Sequence, residues 1–208
     1  MNYRFMRKGI RAALGVVAAC ALFVSSTSAQ AGVLDGFSPV VDGWTGSVPF
    51  DNGAGLSGFI DYAVMTEAVF NANFAGLGYV PTLGQLVYTY QLTSTGADTI
   101  SVEVVGIANP ANTIGSFDIG DVAPSVEVLN PTDATWAFTM PGIQTGETSW
   151  GLAFSSPKVP VAGSSLTING GGSALVGGVP TPGPVDFPEP ASMAMIAVGG
   201  LLIAGRRR

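Results

Sequence analysis

The sequence predicts an all-β fold, an antiparallel β-sandwich ectodomain between an N-terminal signal helix and a C-terminal transmembrane helix. Three observations carry this. First, 29 glycines and 14 prolines in 208 residues interrupt any helical run every few positions, which disfavours a helical bundle. Second, several short segments alternate apolar and polar residues with the period of a half-buried strand. Third, seven of the eight basic residues lie at the two ends, each group beside an apolar run.

The N-terminal element comes first. Arg4, Arg7, Lys8 and Arg11 precede an apolar stretch over residues 12–24, and residues 25–31 are small and polar. That is the order of a secretory signal. Positive charge holds the start in the cytoplasm, and the apolar stretch enters the translocon. Ala29 and Ala31 flank Gln30 as the small side chains a signal peptidase accepts. Residues 1–31 are therefore expected to be a signal peptide, cut before Gly32. Val17-Ala18-Ala19-Cys20 also resembles a lipobox, but the apolar run continues past the cysteine through Val24. That placement reads Cys20 as one more small apolar residue.

Residues 32–169 are expected to form the ectodomain. Residues 56–65 are apolar enough for a strand. In residues 85–93, Leu86, Tyr88, Tyr90 and Leu92 take one face and Val87, Thr89, Gln91 and Thr93 the other. Residues 99–107 repeat the pattern, with Ile100, Val102 and Val104 expected inward. The turn chemistry of residues 94–98 predicts that these two strands pair as a hairpin. Residues 125–129, 134–140, 148–155 and 164–169 continue the series. Trp136 with Phe138, and Trp150 with Leu152 and Phe154, are expected to form two aromatic inner faces. Residues 66–75 read as a helical turn or an irregular insertion. Residues 170–186 are rich in glycine and proline and read as a flexible stalk.

Chemistry is constrained by what the chain lacks. There is no histidine, and Cys20 is the only cysteine. Past the signal, Ser-His-Asp, Cys-His and histidine or thiolate zinc chemistry have no residues to use. No catalytic residue, metal site or cofactor is assigned, and the expectation is a protein that is not an enzyme. Lys158 lies among prolines with no motif for Ser-Lys chemistry. Asp118 with Asp121, and Asp51 with Asn52, offer oxygen ligands of the kind calcium takes, but without the Asp-x-Asp-x-Asp-Gly loop. They read as solvated turns. Residues 32–187 carry thirteen acids against Lys158 alone. Such a surface repels phosphate backbones, so nucleic acid is not an expected partner. Trp44, in Asp42-Gly43-Trp44-Thr45-Gly46, is the candidate exposed ring for stacking on a sugar.

The C-terminal element has three parts. Phe187 leads into Pro188-Glu189-Pro190, an uncharged apolar run follows over residues 191–205, and Arg206, Arg207 and Arg208 end the chain. The 15-residue run spans about 22 Å as a helix, against about 30 Å of hydrocarbon. It is a marginal anchor. The arginines act as a stop-transfer signal and stay cytoplasmic, which puts the Pro-Glu-Pro side outward.

Residues 187–208 resemble the PEP-CTERM sorting domain of Gram-negative bacteria, a family also called the ice-binding protein C-terminal domain. The matching features are Pro188, Glu189 and Pro190, the apolar run and the final arginines. Phe187 stands where valine is more usual. The resemblance implies recognition by an exosortase, a membrane cysteine protease or transpeptidase, in an organism that makes exopolysaccharide. It implies a protein exported, held transiently in the inner membrane and delivered to the cell surface or beyond. Residues 88–107 with residues 150–157 look like other ectodomains of such proteins, a likeness that carries no activity. The expected function is a structural or adhesive matrix protein. The alternatives are a carbohydrate-binding module of the exopolysaccharide matrix and a carboxylate-based hydrolase.

Overall fold

The computed structural model describes residues 32–187. The expected signal segment with Ala29 and Ala31, the motif Pro188, Glu189 and Pro190, the apolar run and Arg206, Arg207 and Arg208 lie outside the described residues. Among the described residues no helix is long and apolar enough to cross a membrane.

The described chain is mostly β, with one helix. In order it forms β1 (Thr45–Asp51), β2 (Ser57–Thr66), α1 (Glu67–Phe74), β3 (Leu86–Ser94), β4 (Val102–Gly106), β5 (Ile114–Phe117), β6 (Val126–Leu129), β7 (Asp133–Ala137), β8 (Gly151–Ser156), β9 (Lys158–Ile168) and β10 (Ser173–Asp186). They build two five-stranded sheets, ordered β1-β2-β3-β8-β5 and β10-β9-β4-β7-β6, with antiparallel neighbours throughout.

One apolar cluster draws on both sheets. Leu86, Tyr88, Tyr90 and Leu92 of β3 and Phe154 of β8 pack with Val105 of β4, Trp136 of β7 and Val176 of β10. The alternation in residues 85–93 thus marks a real division of faces, but both faces are buried. The second face of β3 contributes Val87 to a smaller cluster with Leu34, Ala63, Met65, Phe70, Phe74 and Phe117. The helix explains that cover. Thr66 accepts a hydrogen bond from Val69 N as its N-cap, Glu67 sits in the first turn, and Phe70 and Phe74 fall on one face. Residues 66–75, read as a turn or insertion, thus supply the lid that hides the second face of this sheet.

Three expectations are corrected. The hairpin of residues 85–93 with 99–107 does not form: β3 pairs with β2 and β8, and β4 with β7 and β9. The turn after β3 carries the chain across to the other sheet, where Ile100 bridges Ile143. Alternation identifies a strand but not its partner, and β3 is buried on both faces as a central strand. The inward face of β4 also differs. Ile100 is buried, but Ser101 and Val102 are both half-buried and reset the alternation. Glu103 and Val105 then point inward, each at 0% exposure, while Val102 and Val104 are half-buried.

The third correction concerns the stalk. Residues 173–186 form β10, which pairs with β9 from Ser173↔Ile168 to Asp186↔Lys158. Its composition is accommodated by position. β10 is the edge of its sheet, where proline costs no interior ladder bond. Register shifts between Gly177 and Val179 and between Pro182 and Asp186 absorb the extra residues, and Gly178 holds φ +88° at the first. Tyr90 Oη donates to the Pro180 carbonyl, and Asn109 Nδ2 donates to the Pro182 carbonyl at 3.0 Å. At the far end Lys158 Nζ meets Asp186 Oδ1 at 2.8 Å, and Phe187 N donates to Pro157 O. Phe187 packs against the main core, so it belongs to the folded domain rather than to the tail. One residue separates β10 from the Pro-Glu-Pro motif.

Candidate functional site

A concave site that carries both an aromatic ring and a carboxylate lies where the edge strands β5 and β6 approach one another. A cleft of about 430 Å³ is lined by Tyr79, Val80, Thr113, Ser116, Glu127 and Trp150. Its chemistry follows from the strands that present it. Glu127 on β6 pairs in register with Trp136 on β7, which pairs with Glu103 on β4. Register partners share a face, so Glu127 ends an inward-facing row at the open edge. It is exposed there. Trp150 immediately precedes β8 and is half-buried; its backbone N–H donates to Val122 O at 2.8 Å.

The opposite wall is rigid. Tyr79 is 5% exposed. Its hydroxyl hydrogen-bonds Ser155 Oγ at 2.7 Å and Thr113 Oγ1 at 2.9 Å. Burial pushes its phenol above the ordinary value, partly opposed by the Ser155 and Thr113 hydrogen bonds. Its ring stands edge-on to Phe70, centroids 5.5 Å apart. Gly115 is required beneath it, since a Cβ there would lie 2.6 Å from Tyr79 Cδ2. A ring, a carboxylate and the Thr113 hydroxyl, itself held by Tyr79 Oη and Thr82 Oγ1, therefore share one open cleft. The cleft lining supplies one carboxylate, whereas glycoside hydrolysis requires two. A second concavity, about 480 Å³, is lined by Ala108, Asn109, Pro110, Ala111, Leu129, Asn130 and Pro131. It carries side-chain polar groups only from its two asparagines.

The candidates read from the sequence are dispersed. Trp44 is not a free ring: it is half-buried and packs against the main core. Its flanking glycines signal a turn, and the turn folds the indole down. Trp150, expected in an inner face, instead lines the cleft. Asp51 Oδ1 accepts from Gly53 N at 2.7 Å, and Asn52 Oδ1 from Ala54 N at 2.8 Å, so both cap the β1–β2 turn. Asp121 Oδ2 accepts from Thr148 N and Oγ1 at 2.9 and 3.0 Å. Among the described residues no group of three or more His, Cys, Asp or Glu is placed to hold a metal.

A feature the sequence did not announce is Glu103. It lies on the central strand of its sheet at 0% exposure. Oε2 accepts from Thr167 Oγ1 at 2.7 Å, while Oε1 and the nearby Ser165 Oγ have no hydrogen-bond partner. Burial raises its pKa from 4.5 to about 7, with the Thr167 bond and the neighbouring Ser165 hydroxyl acting in the opposite direction. The signal for it was a charged residue inside an apolar strand, which alternation assigned to the solvent.

Comparisons with family models, with curated proteins and with solved structures return no match for this chain. The likeness of residues 187–208 to a sorting domain therefore rests on the order of their residues alone.

Proposed function

We propose that this chain is an exported surface or extracellular-matrix protein, sorted by an exosortase through Pro188-Glu189-Pro190, with a β-sandwich ectodomain of structural or adhesive role. The observation that carries the reading is the three-part order of motif, apolar run over residues 191–205 and terminal arginines. The acidic surface of residues 32–187 supports it, since net charge keeps an exported domain soluble. The two sheets with a shared core support the sandwich.

The tail's logic is chemical. Proline on both sides of Glu189 keeps the motif extended, because proline has no N–H and restricts its predecessor. The arginines stop translocation, and an intramembrane protease can engage the motif at the outer boundary. In wild-type cells, mass spectrometry of the surface fraction should find protein lacking residues 191–208. Glu189→Ala should be exported normally but retain the tail in the membrane fraction. Surface protein that keeps residues 191–208 in full would make the tail a plain anchor and sink the processing reading.

The second reading, a carbohydrate-binding module, is favoured by the cleft. Trp150 supplies a face for a sugar ring, and Glu127 and Thr113 supply hydrogen-bonding groups beside it. On a glycan array the exported protein should bind an extracellular polysaccharide, and Trp150→Ala should weaken that binding about ten-fold or more, about 1.4 kcal/mol. Trp44→Ala should leave binding intact and lower stability instead. Binding lost with Trp44→Ala in a protein of unchanged stability would return the site to the β1 turn.

A further inference from the structure

We infer that removal of the signal peptide creates a structural ion pair, in which the new α-ammonium of Gly32 seats on the buried carboxylate of Asp61. The inference rests on cleavage before Gly32, and it assigns to that cut a role in stabilising the fold.

The residues around Asp61 motivate it. Asp61 is on β2, with Ser47 of β1 and Gln91 of β3 as its register partners. The row lies on the face covered by α1 and by the first residues after the signal. Asp61 is 1% exposed. Its Oδ2 accepts a hydrogen bond from Gly32 N at 3.0 Å. The next amide, Val33 N, donates to Gln91 Oε1 at 3.2 Å. Gln91 is itself held, donating from Nε2 to Ile119 O and Ser149 O at 3.2 and 3.1 Å.

The start of the domain is therefore a seated plug. Leu34 is 0% exposed within the second apolar cluster, its carbonyl accepts from Thr45 Oγ1 at 2.9 Å, and Phe37 packs on Phe74 with centroids 5.4 Å apart. These contacts fix where Gly32 N must lie. They also demand glycine there: a Cβ on residue 32 would stand 2.1 Å from Asp61 Oδ2 and 2.9 Å from Gln91 Oε1.

Charge completes the case. A buried carboxylate needs a cation or full hydrogen bonding. Lys158 is the sole basic residue in residues 32–187, and it pairs with Asp186. No arginine or lysine side chain of the domain is free to neutralise Asp61, and Asp35 nearby adds negative charge. While Gly32 N is a peptide amide, burial holds the Asp61 pKa above its ordinary value, with hydrogen bonds from Ser47 and Gly32 opposing and Asp35 adding to the rise. Hydrolysis of the Ala31–Gly32 bond consumes one water and leaves a carboxylate on Ala31 and an amine on Gly32. That amine takes a proton at neutral pH. The charge appears at the nitrogen already bonded to Asp61.

The test uses the exported protein, wild type and Asp61→Asn. Its intact mass and N-terminal sequence are read first. A start other than Gly32 defeats the cleavage reading and the inference with it. With Gly32 as the start, the native α-amine is acylated at about pH 7, where α-amines react ahead of lysine, and the rate is followed by mass spectrometry. The amine should react at least about ten-fold more slowly in wild type than in Asp61→Asn, the factor given by one pH unit in its titration. Equal rates would overturn the ion pair and leave the cleavage reading intact. In a second arm, both proteins are unfolded, acetylated at the α-amine and refolded. Acetylation should lower the wild-type melting temperature by about 5–10 °C and that of Asp61→Asn by less than about 2 °C. An equal drop in both would assign the effect to bulk rather than charge and would also overturn the inference.

Discussion

Deleting residues 173–186 should abolish cooperative folding of the domain. A flexible stalk would tolerate that deletion; β10 does not. The strand buries Ala174, Val176 and Val179 against the main core. Full burial of two valines alone is worth about 3–6 kcal/mol, a large share of the about 5–15 kcal/mol that holds a domain together. Deletion also removes the Pro180 carbonyl that Tyr90 Oη donates to. The fully buried phenol would then lack a partner, at a cost of about 1–3 kcal/mol. Finally, β9 would become a bare edge. Far-UV circular dichroism and limited proteolysis should show loss of the thermal transition and rapid digestion. A cooperative transition within about 5 °C of the full chain would mean that β10 is dispensable.

Glu103→Gln should stabilise the protein at pH 8 and flatten its stability between about pH 4.5 and pH 7. The sign follows from the proton count. Unfolded, Glu103 ionises near 4.5; folded, it holds its proton to about 7. Between those values the folded state binds more protons than the unfolded one, so stability falls as pH rises. Below that window both states are protonated and the penalty is absent. Above it the folded protein carries a buried, half-paired carboxylate, at a cost of about 3 kcal/mol. Glutamine keeps the acceptor for Thr167 Oγ1 and removes the charge. The variant should melt about 6–10 °C higher at pH 8, with little change at pH 4. Asp133 acts in a different window. The hydrogen bond from Asn130, opposed by burial and aided by those from Thr132 and Thr135, lowers its pKa. Its contribution is therefore lost only as pH falls through the lowered value. Denaturation of both proteins across pH 4–8 decides the matter. A Glu103→Gln protein that is less stable at pH 8, with the slope intact, would show that the penalty lies elsewhere.

Much of the strand content could be read directly. Residues 56–65, 85–93, 134–140 and 164–169 each contain or overlap an observed strand because one or both faces are buried, and burial leaves alternation or a continuous apolar run. β1, β5 and β10 escaped. β1 begins beside glycines that resemble a turn, β5 spans only Ile114–Phe117, and β10 is written in glycine and proline. Edge strands are spared the demand for two apolar faces, so they leave weak signals.

The candidate site was less legible than the strands. Trp150 carried the same apolar neighbours as a core residue, and only the approach of β5 to β6 opens a cleft beside it. Trp44 carried the turn residues of an exposed ring, and only packing against the main core turns it down. Glu103 shows the same limit. A single irregularity at Ser101 and Val102 shifts the parity of β4, and every later side chain changes face.

Local chemistry, then, was enough to read the basic and apolar pattern of the two ends, the acidic and histidine-free composition and the β character of the domain between them. Each depends on residues adjacent in the chain, whose charge, size and periodicity are visible in order. Which sheet each strand joins, which tryptophan packs on the core and which lines the cleft, and that Gly32 lies on Asp61 across 29 positions of chain are tertiary choices. Those choices are made by the summed packing of both sheets, in which no single residue carries the answer.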